Sequence, residues 1–171
     1  MTQLAPLIVT ATFGADDHGW LEGLRRKHFP PERNQVPAHL TLFHHLPPSL
    51  DAELRDRLGA LVRAPAPPAH ITGIMDLGGG TAFRVESEAL EDVRAELAAA
   101  FRGMLTPQDQ APWRPHITIQ NKVPPKVSRE LIRELERGFV PCPLGIAGLG
   151  LHRYLGGPWD TLAVYRFRGL S

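Results

Sequence analysis

The sequence predicts an α+β chain: two mostly antiparallel sheets related by a pseudo-two-fold duplication, with helices on the outside. Three observations carry this. Apolar residues alternate at period two in several short segments and recur at helical spacing in others. Strand, helix, strand, helix appears in the first half and partly recurs in the second. The second strand of each half carries the same pattern of His, apolar, Thr, apolar: His39-Leu40-Thr41-Leu42 and His116-Ile117-Thr118-Ile119, each just after a proline, Pro37 and Pro115.

The elements follow in chain order. Residues 4–13 are rich in Leu, Ile, Val, Thr and Ala and predict a first strand. Asp16 and Asp17 are placed to cap a helix over 17–28, with Leu21 and Leu24 inward and Arg25, Arg26 and Lys27 as a solvated face that suits the helix dipole. Pro30-Pro31 ends it. Residues 39–46 form the second strand. A helix opening at Pro47-Pro48-Ser49 runs to about Arg63, with Leu50, Leu54, Leu58 and Leu61 on one side. A Pro/Ala linker, 64–69, leads to a hairpin of 70–77 and 82–86 around Gly78-Gly79-Gly80. No Lys-Ser/Thr follows those glycines, so they are not a phosphate loop. A helix over 87–105, a strand over 113–123, a helix from a Ser128 cap to Arg137, and two long strands over 140–154 and 159–168 complete the chain.

Length and composition bound the function. The 171 residues suit a single domain, 1–171, able to bury a core without staples. Hydrophobic residues make up 43% and charged residues 22%, as in ordinary globular proteins. A net charge of +1 gives no electrostatic reason for binding long nucleic acid, although a local patch of arginine remains open. One cysteine, Cys142 between two prolines, excludes an intrachain disulfide and a cysteine zinc site. No signal peptide and no membrane span are expected, which points to a cytoplasmic protein; a monomer is the expected state, though the sequence leaves the oligomeric state open.

The repeated motif carries the chemistry. Side chains alternate along a strand, so His39 and Thr41 share one face while Leu40 and Leu42 enter the core; His116 and Thr118 repeat this. Two imidazoles on two strands suit phosphodiester cleavage. One removes a proton from the nucleophile and the other protonates the leaving oxygen, while Thr41 and Thr118 donate to the phosphate. The scheme needs no metal and no cofactor. A third triplet, His70-Ile71-Thr72, lacks the fourth apolar residue and is expected outside the site. His44 and His45 point to opposite faces and bring no further ligands, so no metal site is expected. Alternation places Phe43 beside His39, where it would stack on a base; burial in the core is the competing expectation. Tyr154 and Trp159 flank a turn and are weighed between lining a nucleotide pocket and packing. Arg153 is a candidate phosphate contact.

The two motifs resemble those of the 2H phosphoesterase superfamily, the LigT-like proteins, and their separation of 77 residues (39 to 116) is similar to that family's. The segment from Trp113 to Val123, and the ending 151–162 with Gly156-Gly157-Pro158-Trp159, look like a bacterial 2′-5′ RNA ligase branch. The resemblance implies a bilobal fold with both motifs in a central groove, and metal-free opening of a 2′,3′-cyclic phosphate on a nucleotide or RNA terminus. It implies His39 and His116 as the acid/base pair and Thr41 and Thr118 as phosphate ligands. The chain departs from its relatives at His44-His45-Leu46 and at Gln120-Asn121-Lys122, where ligase relatives often have Arg; Lys122 is the candidate cation there. Reversible 2′-5′ ligation and a non-catalytic nucleotide-binding module are the alternatives.

Overall fold

Two β-sheets share one long strand, and helices cover their outer faces. The computed structural model describes residues 5–168. The order is β1 (Leu7–Phe13), α1 (Ala15–His28), β2 (Leu40–Leu46), α2 (Asp51–Leu61), β3 (Pro68–Asp76), β4 (Thr81–Glu86), α3 (Glu88–Ala100), α4 (Pro107–Gln110), β5 (His116–Gln120), α5 (Pro125–Glu136), β6 (Cys142–Tyr154) and β7 (Trp159–Arg166). Short 3-10 turns at Pro31–Arg33 and Pro48–Leu50 precede β2 and α2.

The seven strands form a continuous antiparallel path, β2-β1-β6-β3-β4-β5, with β7 on β6. The sharing is done by β6. Its residues 146–153 pair with β1 and 148–154 with β7, whereas Cys142–Gly145 pair with β3. The junction is pinned from α1: Asp17 Oδ2 accepts from Gly145 N at 2.7 Å, and Gly14 N donates to Gly145 O. The two expected sheets are thus joined edge to edge. The sequence β1-α1-β2-α2 is answered by β4-α3-β5-α5, and β2 and β5, the ends of the path, lie against each other. The duplication therefore brings both histidine strands to the middle of the molecule. Leu7, Val9, Leu40, Leu42, Leu149 and Leu151 fill the core of the first sheet, and Ile71, Phe83, Val85, Ile117 and Ile119 that of the second.

Element boundaries differ from expectation in three instructive places. Asp16 and Asp17 do not cap α1; Gly14 precedes the helix and Asp17 is turned to β6 instead. The long predicted helix stops at Ala100, because Phe101 turns into the core and Gly103 takes φ +89°. Ser87 does cap it, its Oγ accepting from Leu90 N at 3.1 Å. Ser128 lies inside α5, fully buried, and Pro125 opens that helix. Leu4 of the predicted first strand lies outside the described residues. Among the described residues, no helix is long and apolar enough to cross a membrane.

Candidate active site

Both motif histidines are held in the same way. His39 Nδ1–H donates to Pro37 O at 2.7 Å, and His116 Nδ1–H donates to Arg114 O at 2.7 Å. A carbonyl only accepts, so in each ring Nδ1 carries a proton. Each Nε2 is then the atom left for chemistry: a base when the ring is neutral, a donor when it is charged. The bond reaches back two residues in both cases, across Ala38 and Pro115. The residues after each histidine alternate as expected, with Leu40 and Ile117 fully buried and Thr41 and Thr118 half-buried on the histidine face.

Beyond each Thr the alternation breaks, and again in the same way. The pairing of β1 with β2 shifts between Val9↔Phe43 and Thr10↔Thr41. That of β4 with β5 shifts between Thr81↔Gln120 and Ala82↔Thr118. A β-bulge after the motif inverts the faces that follow. Leu42 and Phe43 are consecutively buried, as are Ile119 and Gln120. Phe43, expected to stack on a base, is 0% exposed beneath the Arg94 guanidinium, 4.6 Å from its ring centre, and is a core residue. Gln120 accepts from Thr81 Oγ1 at 3.1 Å. A second shift follows on β2, between Val9↔Phe43 and Leu7↔Leu46, and the backbone N–H groups of His44 and His45 within it are taken by Asp109. Its carboxylate, 1% exposed, accepts from His44 N, His45 N and His44 Nδ1 at 2.9–3.2 Å. Burial raises the Asp109 pKa, but these donors outweigh it and hold the carboxyl below its usual range.

Side chains from each half tie down the other. Arg25, which sequence placed on a solvated helix face, is 2% exposed. It donates to Thr118 O at 2.8 Å, Val36 O at 3.0 Å and Asn34 Oδ1 at 2.9 Å, and lies over the Phe29 ring. One guanidinium thus joins the second motif to the loop leading into the first. Arg26 and Lys27 are exposed as expected. The loop is further held by Glu22 Oε1, which accepts from Ala38 N at 2.6 Å. In the other direction, Trp113 Nε1 donates to Thr41 O at 3.0 Å, and Arg94 donates to Leu42 O and Asp109 O.

Beside His39 lies a cavity of about 160 Å³ whose lining includes Thr10, Thr12, Gln35, His39, His152 and Trp159. The Trp159 ring stands 4.6 Å from that of His39 and 5.1 Å from that of His152. His152, 8% exposed, is bonded at both nitrogens: Nε2 with Thr10 Oγ1 and Nδ1 with Thr161 Oγ1, each at 2.9 Å. Burial pushes the His152 pKa down to about 4. His39 is also pushed down to about 4, chiefly by burial; the Pro37 carbonyl opposes this, and Arg25, His152 and His44 add to it. Both rings are neutral at neutral pH.

The family model of the 2′-5′ RNA ligase superfamily matches residues 14–158. The chain belongs to the 2′-5′ RNA ligase superfamily, the 2H phosphoesterases. The fold agrees. The structure of TT0787 from Thermus thermophilus is 21% identical, with a TM-score of 0.67, covering 97% of this chain and 100% of that one. The structure of E. coli LigT complexed with 3′-AMP is 18% identical, with a TM-score of 0.59, covering 97% and 99%. That of E. coli LigT complexed with NADP+ is 17% identical, with a TM-score of 0.58 and the same coverage. No curated protein sequence matches.

For a 2H phosphoesterase, the other expected site residues divide as follows. Arg153 is on the wrong face. On β6, His152 faces the cavity, so the next residue faces the opposite side, where Arg153 Nη2 lies 3.7 Å from Asp51 Oδ2 of α2. Tyr154 is exposed at the end of β6, paired with Trp159, and only Trp159 reaches the cavity. Lys122 is exposed just beyond β5 at φ +61°. His70 is exposed on β3, in a separate groove with Glu86, Glu88 and Asp92. Among the described residues, no group of three or more His, Cys, Asp or Glu side chains could hold a metal ion. Sequence reasoning missed Arg25, Asp109, Thr10 and His152. For His152 a signal existed: Gly148, Gly150 and His152 alternate, which puts two residues without side chains beside a histidine on one face. A Cβ on Gly150 would stand 2.7 Å from His152 Nε2 and 2.8 Å from Thr10 Oγ1.

Proposed function

We propose that the protein is a phosphoesterase that opens a 2′,3′-cyclic phosphate on a nucleotide or RNA terminus, using His39 and His116 and no metal. The observation that carries this reading is the matched anchoring of the two histidines, each with Nδ1–H on the carbonyl two residues back. Neutral His39 accepts a proton from water at Nε2 as the water oxygen bonds to phosphorus. The bond from phosphorus to one ribose oxygen breaks, and His116 in its charged form supplies Nε2–H to that oxygen. A neutral His116 would have no proton there, because its only N–H is on Arg114 O. The step leaves His39 charged and His116 neutral, and exchange with solvent resets both. Thr41 and Thr118 are the candidate donors to the non-bridging oxygens, and exposed Lys122 is a further candidate cation.

The family description supports a second reading. With an RNA 5′-hydroxyl in place of water, the same two proton transfers make a 2′-5′ linkage. The test is turnover of the four nucleoside 2′,3′-cyclic monophosphates in EDTA by wild type, His39→Ala and His116→Ala. Turnover by wild type that is lost in both variants is expected. Undiminished turnover in either variant would overturn the assignment, and binding without turnover would favour a nucleotide-binding module.

A further inference from the structure

The two motif histidines share one anchor but not one environment. Both Nδ1 atoms are bound alike, to Pro37 O and Arg114 O at 2.7 Å. Only His39 then meets an aromatic ring, that of Trp159, with centres 4.6 Å apart and planes tilted by 58°. Among the described residues, His116 has no such ring contact. A single Nδ1–H bond fixes one corner of an imidazole and leaves its plane free to rock. A tilted aromatic body against the ring removes that freedom and displaces water from it.

Trp159 is itself held on two sides. It opens β7, which is separated from β2 by β6 and β1, so its ring reaches back over both strands to His39. Beneath it lies His152, 5.1 Å away, clamped at both nitrogens by the Thr10 and Thr161 hydroxyls. Gly150 leaves the floor open for that ring, since a Cβ there would stand 2.7 Å from His152 Nε2. The turn before Trp159 is closed by Leu155 N donating to Pro158 O at 3.0 Å, with Gly156 at φ +89°. Gly157 in that turn lies against Gln35, whose Oε1 would collide with a Cβ there. Gln35 belongs to the loop that carries His39, so turn and ring grip the same segment. The other titratable groups facing His39 are His18 and Arg25 of α1, His44 of β2 and His152 of β6, and no carboxylate lines the cavity. Burial, not an ion pair, is the largest influence on the His39 ring.

We propose that Trp159 is the positioning residue that makes the two histidines unequal: it fixes the plane of the His39 ring and shields it from water, which suits His39 to accept the proton and leaves His116 to supply one. The direction of proton transfer rests on the phosphoesterase reading; the contact that orients and shields the ring does not. The competing account is that Trp159 is a platform on which a substrate base stacks, and that it touches His39 incidentally.

The test is NMR titration of the histidines in wild type, Trp159→Ala and Trp159→Phe, with the His39 signal assigned by its absence from His39→Ala, alongside hydrolysis of a 2′,3′-cyclic nucleotide. Wild type should show nuclear Overhauser contacts between the Trp159 and His39 rings and a His39 midpoint near 4. In Trp159→Ala the His39 midpoint should rise by about one pH unit or more toward ~6.5, because burial is relieved, and that of His116 should not move. Trp159→Phe should stay within about half a pH unit of wild type. At about pH 8, where the His39 ring is neutral in either protein, kcat of Trp159→Ala should fall about tenfold or more with KM within about threefold, and Phe should restore most of the rate. No ring contact in wild type, an unmoved His39 midpoint in folded Trp159→Ala, or a raised KM at unchanged kcat, the mark of a stacking platform, would each overturn the proposal. A shifted His39 midpoint in a protein that turns over no cyclic phosphate would support the positioning role and sink the phosphoesterase reading.

Discussion

Arg25→Met tests whether one buried guanidinium holds the two motif strands together. Methionine keeps much of the volume and removes every donor. Three acceptors lose their partner: Thr118 O, Val36 O and Asn34 Oδ1. A buried acceptor left unsatisfied costs ~1–3 kcal/mol. Part of this is offset, because the wild type buries a charge whose desolvation lowers the Arg25 pKa even with Glu22 3.9 Å away. The net expectation is a loss of about 3 kcal/mol. For a chain of this length each kcal/mol lowers Tm by roughly 2–4 °C, so Tm should fall by about 6–12 °C. Thermal and urea unfolding of the purified variant measures this, with Arg26→Met as the exposed neighbour expected to lie within about 0.5 kcal/mol of wild type. An Arg25→Met protein melting within about 2 °C of wild type would refute the bridging role.

Further expectations follow from the histidines and the glycine floor. With His39 held at about 4, the acid limb of kcat/KM should have its midpoint near pH 4; a limb at about 6–7 would contradict the desolvated base. His152 has a folded pKa of about 4 against ~6.5 unfolded, so unfolding takes up a proton between those values. Its contribution to stability is complete above about pH 6.5 and is lost as pH falls toward 4, by roughly 3 kcal/mol. Urea titrations from about pH 7 to 4 should therefore show a shallower decline for His152→Asn than for wild type, and parallel declines would refute this. Gly150→Ala should break the Thr10–His152 bond and lower kcat/KM more than it lowers Tm; a variant with wild-type kinetics would show that the cavity wall is not needed.

The strands and both motifs were legible because a period of two is written locally: His39, Thr41, His116 and Thr118 each take the face that alternation assigns. Phe43 failed for a non-local reason. Nothing in Thr-Leu-Phe marks a bulge, and the stretch just beyond it, His44-His45, is held by Asp109, which sits in an ordinary Pro-Gln-Asp-Gln segment more than sixty residues away. Arg25 reads as one cation in an Arg-Arg-Lys run, and only the fold brings Thr118 O to it. Arg153 was misplaced for the opposite reason: alternation along β6 gives its face only once the facing of His152 is known.

The central claim is that His39 and His116 act as one acid–base unit, and a double-mutant cycle tests it most directly. Values of kcat/KM for a 2′,3′-cyclic nucleotide would be measured for wild type, His39→Ala, His116→Ala and the double variant. If the two work together, the double variant should be scarcely slower than the slower single one. Losses that multiply across the cycle would show two independent contributions and contradict the account.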